Sequence, residues 1–364
     1  MNAERAWSAL EQDRQLLSEL AQQAFPARLA VVGGALRDAL LGRPARELDI
    51  VLEGASVAEF ARQSQLPFTY HPRYDNATLR LPDGRFIDLI RTRGERYPSP
   101  GAAPEVFPAD LHTDLARRDF SVNAMALDLR GGELIDPLGG QRDLTHSALR
   151  PLHDRSFRDD PSRLARGARL AARLEFDLEA SGRAQVPDAL RYAPQTRRLC
   201  GELALCFQEP FPGKVFERLQ TWGAEHLFGA NATSSLLLLD ERRASGNAVP
   251  ASIYGAVWLA LQPDPAEASR RYGLGEKALR LLARARSEGR FALHTPEDEV
   301  RRALQLPVPL PGLAGADLVA LGVAPGPAVG QALRFLQGLR EAGEVSSAED
   351  ERAALKAYLE SARP

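Results

Sequence analysis

Sulfur is scarce in this chain of 364 residues, which holds two cysteines and two methionines. Cys200 and Cys206 lie six apart in one stretch of helical period. Two thiols so placed make neither a disulfide framework nor a cysteine zinc site. Six scattered histidines argue against a histidine-held metal centre. No run of 18 or more apolar residues occurs, so a transmembrane helix is excluded on hydropathy. Residues 1–20 are charged and lack the basic-then-apolar layout of a signal peptide, so the cytoplasm is the expected location. Lysine is scarce too: Lys214, Lys277 and Lys356 stand against 43 arginines. The guanidinium is the side chain best shaped to hold a phosphate or a base edge by paired hydrogen bonds. The formal net charge is −2, with 44% hydrophobic and 26% charged residues. That balance excludes disorder. It neither requires nor excludes a nucleic-acid partner, because clustering of charge decides that and not its sum.

The texture of the chain changes once. Over residues 27–138, short apolar runs alternate with turns. ARLAVVGG, ELDIVLEG, ATLRLPDG, RFIDLIRTR and VNAMALDLRGGELID each read as a strand, and a helix over Leu36–Leu41 separates the first two. After Asp143 the strands stop. Helical patterns cover 157–176, 186–209, 213–228, 250–262, 265–289, 297–305, 313–322 and 327–342, broken by proline and glycine. The fold expected is α+β: a mixed-sheet head followed by an all-helical remainder.

The first strand runs into Gly33-Gly34 and then a helix carrying Arg37. Glycines at a strand-to-helix turn let backbone N–H groups approach an anion, and the helix N-terminus adds positive character. A plain tight turn would use the same residues. Neither a P-loop nor a dinucleotide fingerprint fits the spacing. On the next strand Glu47 and Asp49 are two apart and share a face. A third acid, Asp88, sits inside the apolar strand RFIDLI. Converging carboxylates beside a phosphate cradle suit Mg²⁺, which takes a few carboxylates plus substrate phosphates. Surface charge for Glu47, or pairing with arginine for Asp49 and Asp88, would serve as well.

Five further segments decide between these readings. VGGALRDALLGRPARELDIVLEG over 32–54 resembles the opening motif of class II tRNA nucleotidyltransferases, the group of CCA-adding enzymes and poly(A) polymerases within the DNA polymerase β-like superfamily. DLARRDFSVNAMA over 114–126, IDPLGGQRDL over 135–144, FRDDPSRLARGAR over 157–169 and, more weakly, RLCGEL over 198–203 resemble its later motifs in order. Segments 315–318 and 321–330 resemble its C-terminus. Two positions depart from the family pattern: Glu47 stands where Asp is usual, and Arg197 where Glu is usual.

The resemblance implies a head over 1–140 with a five-stranded sheet, a neck over 141–209, a body over 210–290 and a tail over 291–364. It implies Mg²⁺ held by Glu47 and Asp49, with Asp88 as a third catalytic acid. It implies nucleotide binding by Gly33, Gly34, Arg37, Arg118, Asp119, Asn123, Asp160, Arg163, Arg166 and Arg169. The partners would be CTP, ATP and the acceptor arm and 3′ end of tRNA, and the product would be a CCA end. A CC-only, A-only or poly(A) enzyme, or a tRNA-binding protein impaired by Glu47, would carry the same motifs. The Gly- and Pro-rich segment 93–113 is the expected flexible loop. In the helical remainder, Arg242-Arg243, Arg270-Arg271, Arg280-Arg284-Arg286 and Arg301-Arg302 are candidate basic patches. Asp160 before Pro161 also reads as a helix N-cap. A carboxylate only accepts and a guanidinium only donates. Asp160 and Arg163 together therefore match the amino-donor, ring-acceptor edge shared by cytosine and adenine.

Overall fold

The computed structural model describes residues 3–44, 48–73, 75–286, 295–306, 312–341, 344–345 and 348–361. They form two compact units, Met1–Gly229 and Ala230–Pro364. Among the described residues no helix is long and apolar enough to cross a membrane.

The first unit is built on a sheet of seven strands among the described residues, in the order β3-β4-β5-β2-β1-β8-β9. They are β1 (Arg28–Val32), β2 (Leu48–Glu53), β3 (Phe68–His71), β4 (Asn76–Arg80), β5 (Phe86–Arg91), β8 (Ala126–Asp128) and β9 (Leu134–Ile135). Strands β2 and β5 run parallel; the other neighbours are antiparallel. Alternation along the strands divides their residues between two faces. Leu29, Val31, Ile50, Leu52, Ile87 and Leu89 are buried on one face. Helices α2 (Arg14–Gln23), α3 (Gly33–Leu40) and α4 (Val57–Gln63) pack against these strands. On the other face Ala30, Val32, Val51 and Ala126 cluster with Leu111 and Leu115 of α5 (Leu111–Ala116).

Two strands exceed the five expected. The edge strand β3 is mostly exposed, so it shows no buried alternation in the sequence. The last expected strand is split into β8 and β9 by a turn in which Asp128 Oδ1 accepts from the N–H groups of Arg130 and Gly131. The segment expected as a loop contains a ribbon of β6 (Arg93–Arg96) and β7 (Glu105–Pro108), followed by the start of α5.

The rest of the unit is mainly helical, but β10 (Ala148–Leu149) and β11 (Asp177–Leu178) pair in parallel beyond Asp143, where the sequence predicts no strand. Two short helices are α1 (Ala3–Ala9) and α6 (Gly140–Thr145). The helix expected over 157–176 is two helices, α7 (Ser156–Asp159) and α8 (Ser162–Leu174). The break is chemical. Pro161 lacks an N–H, and Asp160 is extended at φ −138° and ψ 92°. Leu164, Ala168, Ala171 and Leu174 form the buried stripe of α8. It packs against α11 (Arg198–Gln208) and α12 (Pro212–Thr221), which follow α9 (Ala180–Arg183) and α10 (Val186–Tyr192).

The second unit is helical in its described residues. Helix α14 (Ala251–Ala260) buries Ile253 to Leu259 without a polar face. Helices α13 (Thr233–Ala244) and α16 (Gly275–Arg286) contact it or its neighbour α17 (Pro296–Ala303), and α15 (Pro265–Tyr272) joins them. A separate cluster of Leu313, Leu318, Val323, Ala332, Leu336 and Leu355 unites α18 (Gly315–Ala320), α19 (Pro327–Glu341) and α20 (Ala348–Ser361).

Candidate active site

The site begins where β1 meets α3. Gly33 has φ +70°, a conformation that costs a side-chain-bearing residue about 1–2 kcal/mol. A Cβ there would lie 3.2 Å from Arg118 Nη1 and 3.3 Å from Asp49 Oδ2. The glycine thus lets a backbone turn, a guanidinium and a carboxylate crowd one spot. In the sheet, Val32, Asp49 and Asp88 are direct register partners on three neighbouring strands. Asp88 Oδ1 accepts a 2.8 Å hydrogen bond from Thr78 Oγ1 on β4. Glu47 lies outside the described residues.

Segment 114–123 supplies the next wall. Asp114 is fully buried. It accepts from Arg117 Nε at 3.0 Å, Arg117 Nη2 at 2.8 Å and Arg118 Nη2 at 2.8 Å. Burial opposes its charge, but Arg118 and Arg117 outweigh that and hold its carboxyl below the usual range. Asp119 follows the same logic. Burial penalises the ion, yet Arg166 and the hydrogen bond from Asn123 hold the carboxyl well below the ordinary value. Arg166 meets Asp119 Oδ2 through Nε at 3.0 Å and Nη2 at 2.9 Å. Asn123 Nδ2 donates to Asp119 Oδ1 at 2.9 Å, and Asn123 Oδ1 accepts from Arg37 Nη1 at 2.6 Å. One chain of hydrogen bonds therefore ties α8, the Asp119–Asn123 turn and α3.

The α7–α8 break forms the third wall. Asp160 Oδ1 accepts from Ser162 N at 3.0 Å, the cap expected from the sequence, while Oδ2 meets Arg198 Nη1 at 3.0 Å. Arg163 is buried; it donates to Ser156 Oγ at 2.8 Å and to the Arg117 carbonyl at 2.7 Å. The Tyr97 ring faces both Arg163 and Arg198, with guanidinium carbons 5.8 and 5.4 Å from its centroid. The Tyr97 hydroxyl donates to Glu95 Oε2 at 3.0 Å, and burial raises its pKa.

These walls enclose a cavity of about 490 Å³, within the range of small-ligand sites. Of the residues singled out in the sequence, it is lined by Gly33, Gly34, Asp49, Arg118, Asp119, Asn123, Asp160, Arg163 and Arg166. Arg37 and Arg169 instead line a recess of about 140 Å³ that shares Asp119, Asn123 and Arg166 with the cavity. Arg169 is held there by Glu202 at 2.7 Å and Glu209 at 3.0 Å. Asp88 stands one strand outward from Asp49, outside the lining. Sequence reasoning assigned no role to Glu95, Tyr97, Arg117, Arg198 and Glu202, which also line the cavity. The 198–203 motif was the available signal for Arg198 and Glu202; Glu95 and Tyr97 lay hidden in the segment expected as a loop.

The donor set fits a hard divalent cation. Asp49 and Asp88 offer carboxylate oxygens on adjacent strands, and Gly33 adds no side chain of its own beside Asp49. No group of three His, Cys, Asp or Glu suited to a metal occurs among the described residues. Two carboxylates completed by water and phosphate oxygens fit such a divalent ion rather than an all-protein cage. In the second unit, several candidate arginines meet acids of its own: Arg242 pairs with Glu299, Arg284 with Glu297 and Arg302 with Asp298.

Residues 29–150 match the Poly A polymerase head domain family. A CC-adding tRNA nucleotidyltransferase of Deinococcus radiodurans is 50% identical over 98% of this chain and 97% of its own length. The fold is shared with an apo CCA-adding enzyme (TM-score 0.70, 23% identity, 98% of this chain and 99% of that one). It is shared also with the Thermotoga maritima CCA-adding enzyme complexed with tRNA (TM-score 0.65, 23% identity, 95% of both chains).

Proposed function

The chain belongs to the tRNA nucleotidyltransferase family, and from that premise we propose that it adds cytidylates to the 3′ end of tRNA without a nucleic-acid template. The observation that carries this reading is the single cavity that gathers a phosphate turn, a carboxylate, a ribose-sized Asp–Asn pair and a base-reading Asp–Arg pair. The primer's 3′-hydroxyl oxygen attacks the α-phosphorus, a new P–O bond forms, and pyrophosphate leaves with the β,γ-phosphates. In this reading the backbone at Gly33-Gly34 and the guanidiniums of Arg118 and Arg166, which line the cavity, neutralise the triphosphate. Asp119 and Asn123 present an acceptor and an amide to the ribose hydroxyls, which favours an NTP over a dNTP. Mg²⁺, held by Asp49 and Asp88, supplies Lewis-acid activation of the hydroxyl and charge neutralisation when bound.

Base choice falls to Asp160 and Arg163. The shared amino-donor, ring-acceptor edge of cytosine and adenine suits their acceptor–donor order, whereas uracil and guanine meet two like groups on each side. Asp160 Oδ2 is bonded to Arg198, so the amino group of the incoming base competes with that guanidinium. The similarity to a CC-adding enzyme over nearly the whole length favours addition of two C residues. Acceptance of adenine by the same pair keeps complete CCA addition as the second reading. Purified protein is given tRNA ending just before CCA, with CTP, ATP or both, and product lengths are read on a gel. Two additions with CTP, and no further addition with ATP, is the expected result. Three additions with both nucleotides establish CCA synthesis, and none under any condition refutes the reading.

A further inference from the structure

The nucleotide cavity occupies only one side of the carboxylate row. Its lining takes Asp49 of β2 and the two glycines that open α3 directly after β1, Gly33 and Gly34, and no residue of β5, β4 or β3. Outward from Asp49 the register continues to Asp88 on β5, Thr78 on β4 and Thr69 on β3, all on one face of the sheet. At about 4.8 Å per strand this row runs roughly 14 Å beyond Asp49. Displacement at phosphorus is in line, so the attacking hydroxyl enters opposite the departing pyrophosphate. With the triphosphate on the β1 side of the row, the primer must arrive from the β4 side.

That side has the chemistry for it. Thr69, His71 and Arg80 are exposed, and Thr78 is half-buried beside Asp88. Phe86 is 57% exposed, two residues before Asp88 and directly opposite Arg80 in register. A sheet face that shows an aromatic ring, a guanidinium and hydroxyls suits single-stranded RNA: the ring stacks a base, the guanidinium takes a phosphate, and the hydroxyls can meet a 2′-OH. We infer that this face of β3, β4 and β5 seats the unpaired 3′-terminal nucleotides of the RNA primer, with Phe86 as the stacking platform and Arg80 as the phosphate contact. The inference rests on the nucleotidyltransferase reading of the cavity and adds where the second substrate lies.

The test is steady-state kinetics of the full chain carrying Phe86→Ala, Arg80→Ala or both. Loss of one base–aromatic stack raises the KM for tRNA about tenfold, within a range of roughly 5- to 150-fold, while the KM for CTP stays within twofold. Both side chains are exposed, so the melting temperature should match the parent's. A double variant that melts with the parent and keeps the parent's KM for tRNA within twofold overturns the assignment. A second measurement is independent of turnover. An RNA hairpin with an unpaired 3′ end closing in 4-thiouridine is irradiated with the protein, and the cross-linked peptide is mapped. Attachment within 68–90 supports the seat; attachment only elsewhere overturns it. If the parent protein extends no tRNA, the proposed function fails, while the cross-link still decides the surface.

Discussion

Replacing Asp119 by Asn removes one charge from the centre of the hydrogen-bond chain that joins α8 to α3. The carboxylate is 8% exposed and accepts from Arg166, Asn123 and its neighbouring backbone. Breaking a fully buried pair costs about 3–5 kcal/mol. The Arg166 side chain is 49% exposed, so it regains water when released. The loss is therefore nearer that of one hydrogen bond to a charged group, about 2 kcal/mol. For a unit of 229 residues, this lowers the melting temperature by about 4–8 °C. The folded-state pKa of Asp119 is depressed. Its contribution is thus complete above the ordinary carboxylate value near 4 and is lost only as pH falls through the lower folded value. Calorimetry should show a constant gap between parent and Asp119→Asn from about pH 5 to 8, closing below about 4. The same substitution should lower kcat/KM for CTP about 10- to 100-fold and narrow the preference for CTP over dCTP. An unchanged CTP over dCTP ratio would refute the ribose contact, and an unchanged melting temperature would refute the bridge.

Gly33→Ala combines a strained φ of +70° with a Cβ pressed between Arg118 and Asp49. It should cost about 1–2 kcal/mol of stability and reduce nucleotide addition at least about tenfold; differential scanning fluorimetry beside a rate assay checks both. Asp160→Ala should lower CTP use and shrink the gap to UTP by roughly 1–3 kcal/mol, about 5- to 150-fold in relative kcat/KM. Because Asp160 also caps α8, melting is measured with it. A lower melting temperature with full preference for CTP would leave Asp160 as a cap alone.

The strands whose apolar residues face covered helices were legible from alternation, and so was the change from mixed sheet to helices. Three features were not. The edge strand β3 has exposed side chains, so nothing in its pattern separates it from a turn. The break between α7 and α8 needed Asp160 to be extended before a residue without an N–H; the sequence shows the proline, but the helical stripe runs on past it. The ribbon β6–β7 is fixed from outside, by Asp114 accepting from Arg93 N and Arg117 bonding Glu95, contacts 21 and 22 residues apart in sequence. Within the cavity, the family resemblance pointed to residues of α3, the Asp119–Asn123 turn and α8, and the fold brings them to one lining. The resemblance could not identify Tyr97, whose place between two arginines exists only once the ribbon folds over α8 and α11. Nor could it show that Arg37 lines the adjoining recess, bonded to Asn123, rather than the cavity itself.

The most direct test is a comparison of the parent with Asp49→Ala in two assays: the single-turnover rate of CMP addition to tRNA lacking its CCA end, and the affinity for that tRNA. Loss of the carboxylate should slow addition about a thousandfold, the equivalent of the several kcal/mol that a bound metal contributes to phosphoryl transfer, with tRNA affinity within about twofold of the parent's. Addition within tenfold of the parent rate by a folded Asp49→Ala protein would contradict the placement of catalysis in this cavity.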